Sequence, residues 1–152
     1  MKGLSPLLVT DAFVDEFGLG ICSVGSAKAT TKLSWYLKVN HKNPNLGGES
    51  VKLKKGDEVL WALAAFPYPD ELSLTAPAEA QPGVPFEVTV YTYDDKGKRK
   101  PAAGAKIAGA AAPTDSKGKA SVTLSTPQTL RATLGKDLPS NGAVVCVGGA
   151  CP

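Results

Sequence analysis

Two adjoining runs decide the fold: Trp35-Tyr-Leu-Lys-Val-Asn-His-Lys-Asn-Pro-Asn-Leu-Gly-Gly48 and Val51-Lys-Leu-Lys-Lys-Gly-Asp-Glu-Val-Leu-Trp61. Trp35, Leu37 and Val39 alternate with Ser34, Tyr36 and Lys38, the period of two that marks a strand half-buried on one face. Asn40 to Gly48 is turn chemistry throughout, with asparagines, a proline and a glycine pair. Val51 and Leu53 against Lys52 and Lys54 predict a second strand. Lys55-Gly-Asp57 predicts a tight turn, and Val59, Trp61 and Leu63 predict a third strand. Parity assigns Trp35 and Trp61 to the core and turns Tyr36 outward.

Upstream, Leu7 to Val9 and Ala12 to Val14 read as short strand pieces, and Phe17 to Gly25 is apolar and punctuated by glycine. No helical period of adequate length occurs in residues 1–34. Downstream, Phe66-Pro-Tyr-Pro-Asp70 carries two prolines in three residues, which cannot sustain a ladder and mark a linker. The boundary is therefore placed between domains of residues 1–66 and 67–152. After it come Leu72 and Leu74, then Phe86 to Val90, Ala105 and Ile107, Ala120 to Leu124, Leu130 to Leu134, and Val144 to Val147. Short strands at such spacing, separated by turn signals, predict an antiparallel sandwich.

The Trp35-to-Trp61 region resembles the β-grasp-like domain of unknown function found in secreted bacterial proteins and related to the C-terminal β-domain of transcobalamin and intrinsic factor. In that family the module begins earlier, with a hairpin and a helix packed across the sheet, so the resemblance implies a partial, N-terminally truncated first domain. Val88-Thr-Val-Tyr-Thr-Tyr-Asp-Asp-Lys-Gly-Lys98, Pro101-Ala-Ala-Gly-Ala-Lys-Ile107 and Thr114-Asp-Ser-Lys-Gly-Lys-Ala-Ser-Val-Thr-Leu124 resemble a bacterial immunoglobulin-like or prealbumin-like surface domain. The fold expected is mainly β: a small β-grasp-like sheet followed by an immunoglobulin-like antiparallel β-sandwich.

Composition narrows the function. Of 152 residues, 17 are Lys or Arg and 14 Asp or Glu, a net charge of +3 spread evenly over both halves. A nucleic-acid partner is not expected, because a binder of phosphates needs a cationic face and none is segregated here. The cluster Lys96, Lys98, Arg99 and Lys100 sits beside Asp94 and Asp95 and reads as a solvated hairpin turn. No apolar run approaches the ~20 residues that span a bilayer, so membrane insertion is not expected. Leu4 to Val9 is too short and too interrupted by proline for a signal segment, so the chain is expected to be either cytosolic or a fragment whose export signal has been lost, and the fragment is the favoured reading.

Cys146 and Cys151 flank Val-Gly-Gly-Ala, whose glycines let the backbone fold back far enough for a disulfide. Cys22 is then left over, read as a small buried side chain. His41 is the only histidine, so a multi-histidine metal site is excluded. Asp94 to Gly97 and Asp115 to Gly118 place lysines where a calcium loop needs oxygen ligands, and both read as hairpin turns. Trp35, Tyr36, Trp61, Phe66 and Tyr68 fall close together; Tyr36, Asn40, His41 and Tyr68 are the candidates for a ligand-binding surface. Lys106, Asn141 and Glu87 form a weak match to a self-crosslinking trio.

No nucleophile, base or metal cluster accompanies these features, so neither enzymatic activity nor a cofactor is expected. The function expected is a secreted or cell-surface module for binding, adhesion or spacing, its partner an extracellular ligand or protein. Capture of a corrinoid-like small molecule, or service as the targeting appendage of a larger secreted enzyme, are the alternatives. A truncated sheet leaves an apolar face and an edge uncovered, which favours self-association, unless residues 4–33 fold back, with Leu7 to Val9 and Phe13 to Phe17 as cover.

Overall fold

The computed structural model describes residues 9–15 and 18–152, with side chains from residue 20 onward. Leu7 and Phe17, singled out above, lie outside the described residues, and Phe13 lies outside the described side chains. The chain is mainly β and divides into two compact units, residues 1–69 with 95–97, and residues 70–94 with 98–152.

The first unit contains β1 (Val9–Asp15), β2 (Gly18–Val24), β3 (Ala27–Lys28), β4 (Ser34–Val39) and β5 (Val59–Ala64). β1 and β2 form an antiparallel hairpin that β3 extends. β4 pairs antiparallel with β5, setting Trp35 opposite Leu63, Leu37 opposite Trp61 and Val39 opposite Val59. β2 runs close to β4 and to a 3-10 turn at Gly48–Ser50. A Cβ built on Gly48 would lie 2.8 Å from Cζ2 of Trp61, so the missing side chain lets this turn rest on the indole.

Two expectations are corrected in this unit. Val51 to Lys54 forms no ladder and Leu53 is exposed, because β5 takes β4 itself as its partner. The alternation along β4 is real, yet parity chose the wrong face as the more enclosed. Tyr36 is 4% exposed, whereas Trp35 and Trp61 are only half-buried. Leu37 is buried and the Trp35 indole Nε1 is enclosed, so this sheet is covered on both sides. Tyr36, Lys38, Ala62 and Ala64 are all buried on the face that parity had assigned to solvent.

Lys38 is 1% exposed. Its Nζ lies 3.7 Å from Oδ1 of Asp95, a half-exposed carboxylate in the same unit, whose carbonyl accepts from the Asn43 N–H at 3.0 Å. A buried ammonium requires such a counter-charge, since desolvation alone disfavours the charged form.

The second unit contains β6 (Glu71–Thr75), β7 (Glu79–Ala80), β8 (Phe86–Tyr93), β9 (Arg99–Pro101), β10 (Lys106–Ile107), β11 (Lys119–Val122), β12 (Gln128–Leu130), β13 (Ala132–Thr133) and β14 (Ala143–Val147). One sheet runs β11-β8-β6, with β9 also on β8; a second runs β12-β14-β7; β10 pairs β13. All of these pairings are antiparallel except β14 with β7. The core lies between the two sheets: Leu72, Leu74, Val88, Val90 and Val122 from one meet Leu130, Val145 and Val147 from the other. Alternation is strict here, for Val145 and Val147 are buried while Val144 is 53% exposed.

Both edges of the β11-β8-β6 sheet are occupied. The segment after β10 reaches β11 through Ala110 opposite Val122. On the far edge of β6, the Leu72 N–H donates to the Leu138 carbonyl at 3.1 Å, and the Asn141 side chain takes Leu74. Occupied edges offer no template to another strand.

Candidate functional site

β4 carries Tyr36 on the same face as Ser34, and the chain leaving β5 brings Phe66 and Tyr68 over them. The Tyr68 ring stacks on Tyr36, with centroids 4.1 Å apart and planes 6° apart. Tyr68 and Ser34 share a hydroxyl hydrogen bond of 2.8 Å, and the Tyr36 hydroxyl donates to the Pro69 carbonyl at 3.2 Å. Phe66, joined to Pro67 by a cis bond, meets Tyr68 edge-on at 5.8 Å. It is 82% exposed, the most exposed large apolar side chain among the described residues. Tyr36, expected to face a ligand, instead lies beneath Tyr68. The aromatic in contact with solvent is Phe66.

Asn40 and His41 stand apart from that stack in their chemistry. Both have positive φ, 51° and 67°, a conformation that asparagine and histidine adopt more readily than most residues. The Asn40 amide donates to Asp57 Oδ1 at 2.8 Å and accepts from the Glu58 N–H at 3.0 Å, so its side chain is spent closing the β4–β5 loop. The His41 Nε2 lies 3.5 Å from Oε2 of Glu58. Asp57 also accepts from the Lys54 N–H at 2.7 Å; the Asn40 bond, then this one, hold its carboxyl below the usual range. Of the four expected ligand residues, the structure brings Tyr36 and Tyr68 together and gives Asn40 a bracing role.

In the second unit, Cys146 and Cys151 lie at bonding distance, S–S 2.00 Å, across a turn in which Gly148 and Gly149 have φ of 58° and 81°. Cys22 is a free thiol, half-buried on β2. Asp115 accepts from the N–H groups of Lys117 at 2.8 Å and Lys119 at 2.9 Å, so the carboxylate organises its own hairpin turn. Asp94 does the same for Lys98. The suggested crosslinking trio is dispersed: Lys106 is exposed, Glu87 binds Lys119 Nζ at 2.7 Å, and Asn141 binds Leu74. Arg99 lies over the Tyr91 ring at 4.4 Å, which ties the basic cluster to its own sheet.

An open groove of about 370 Å³ is lined by Pro85, Phe86, Glu87, Asp115, Lys119, Ala120 and Ser121. Its charged groups are engaged locally, Lys119 with Glu87 and Asp115 with the N–H groups of its own turn. The buried polar groups of this unit brace loops: Thr114 Oγ1 donates to the Ala102 carbonyl and accepts from the Ala105 N–H, and Ser140 Oγ accepts from the Ala132 N–H and donates to the Asn141 carbonyl. Sequence reasoning missed these braces and missed Lys38, since nothing in the local pattern marks a polar residue as buried.

Among the described residues, no group of three or more His, Cys, Asp or Glu could hold a metal ion, and no helix is long and apolar enough to cross a membrane. Compared with protein families, curated proteins and solved structures, the chain matches none.

Proposed function

We propose that the chain is a binding or spacer module of a secreted or cell-surface protein, acting by contact rather than catalysis. The observation that carries this is the Cys146–Cys151 pair, because disulfides form and persist in oxidising compartments outside the cytoplasm. Two features support it. The buried Thr114 and Ser140 of the second unit brace loops, as a scaffold requires, and the exposed Phe66 ring offers an apolar contact on the Tyr36–Tyr68 stack. The β-grasp-like and immunoglobulin-like resemblances agree with such a role. Capture of a corrinoid-like molecule has less in its favour, since Tyr36 and Tyr68 present their faces to each other.

Antibody labelling of intact source cells and of their culture medium tests the proposal. Labelling without lysis, together with one free thiol per chain in the denatured, unreduced protein, is the expected result. Signal only after lysis, or three free thiols, overturns it.

A further inference from the structure

We propose that Asn141-Gly142 is a self-modifying site, held dormant by the hydrogen bonds that Asn141 makes to Leu74. The sequence has a single Asn-Gly pair, and both residues are exposed. Glycine has no side chain to shield its amide nitrogen, so Gly142 N is sterically open to attack the Asn141 side-chain carbonyl carbon once that side chain is released. A Cβ at Gly142 would lie 2.9 Å from Thr129 Cγ2, so the bare backbone is also what the packing admits here.

The reaction balances without any agent but water. Gly142 N bonds to Asn141 Cγ, the Cγ–Nδ2 bond breaks, and Nδ2 departs as ammonia with the proton from the glycine amide. Water then opens the cyclic imide at one carbonyl or the other, leaving aspartate or β-linked isoaspartate.

In the folded chain the reacting group is restrained. Asn141 Oδ1 accepts from the Leu74 N–H at 2.9 Å, and Nδ2 donates to the Leu74 carbonyl at 3.1 Å. The Asn141 carbonyl is also held, accepting from Ser140 Oγ at 2.9 Å. Ring closure must break the Nδ2 bond and turn this backbone, so release of the side chain governs the rate. Conversion has a structural consequence as well. The donor to the Leu74 carbonyl becomes a negative oxygen that the carbonyl repels, the side chain leaves, and the edge of β6 opens to another strand.

The test follows the full-length chain at mildly alkaline pH, in native buffer and in urea, with peptide mapping by mass spectrometry for the amide-to-acid change. Conversion about tenfold or more slower in native buffer is expected, the factor that two net hydrogen bonds impose on opening. Equal rates in both conditions, or no conversion in urea, overturn the proposal. Amide hydrogen exchange then compares the parent with chain converted in urea and refolded, and with the Asn141→Asp variant. Faster exchange at Leu74, with Val88 and Val122 unchanged, is expected in both. Exchange at Leu74 equal to the parent's in the converted chain refutes the opening of the edge.

Discussion

The phenol ring of Tyr68 lies flat on that of Tyr36, 4.1 Å between centroids, and encloses a tyrosine that alternation had assigned to solvent. Tyr36 therefore behaves as a core residue with a polar tip. Tyr36→Ala is expected to cost about 3–5 kcal/mol, as truncation of a buried aromatic does. Tyr36→Phe keeps the ring, removes the hydroxyl that donates to Pro69, and is expected to cost about 0.5–1.5 kcal/mol. Urea unfolding followed in the near-ultraviolet checks both, and a neutral Tyr36→Ala would mean that the stack is a surface contact.

Lys38 and Asp95 respond differently to removal. Asp95→Ala leaves the ammonium of Lys38 buried without this counter-charge and is expected to destabilise the chain by about 1–3 kcal/mol, moderated because Asp95 is itself half-exposed. Lys38→Met removes the charge and keeps the volume, and is expected to be neutral or stabilising. Paired denaturant melts distinguish the two. Equal losses would show that Lys38 contributes through its charge.

Two glycines with positive φ separate backbone preference from crowding. Gly118 has φ +74°, and a Cβ there would lie 2.3 Å from the Val90 carbonyl oxygen; Gly135 has φ +52° with open space around it. Gly135→Ala is expected to cost about 1–2 kcal/mol for the left-handed backbone alone. Gly118→Ala adds the overpacking cost of about 1–3 kcal/mol, because the β8–β11 backbone must move. Thermal melts of the two variants that coincide would count against the close approach at Gly118.

Acid dependence divides the carboxylates by sign. Asp57, through Asn40 and the Lys54 N–H, and Asp115, through the N–H groups of Lys119 and Lys117, have folded pKa values below the ordinary one. Their contribution is present above the unfolded carboxylate pKa and is lost as pH falls through the folded values. Asp137 is shifted upward by burial, with Asp70 adding to it. Its ionised form is disfavoured in the folded chain, and that penalty is relieved as pH falls through its folded pKa. Asp137→Asn is expected to raise the melting temperature at neutral pH and to match the parent below the carboxylate range, whereas Asp115→Ala lowers it at neutral pH. Melting temperatures from pH 7 to pH 2 check this, and a lowered midpoint for Asp137→Asn at pH 7 would contradict the burial argument.

The strands and turns of this protein are legible in its residues because alternation and turn chemistry act over a few positions. Val88 and Val90 against Glu87 and Thr89, the turns capped by Asp94 and Asp115, and the glycine-spaced Cys146 and Cys151 all required only local pattern. Pairing and enclosure depend on distant parts of the chain. Val51 to Lys54 has a strand's alternation but no ladder, because β5 finds β4, and a ladder forms only where a partner supplies its hydrogen bonds. The face of β4 bearing Tyr36 and Lys38 is buried because Tyr68 and Asp95, respectively, come to it; alternation separates two faces but does not say what will cover each. Asn141 seals the edge at Leu74 across 67 positions of sequence, a contact that only the closed sandwich creates, since a side-chain amide can replace a neighbouring strand only once the fold has carried it there.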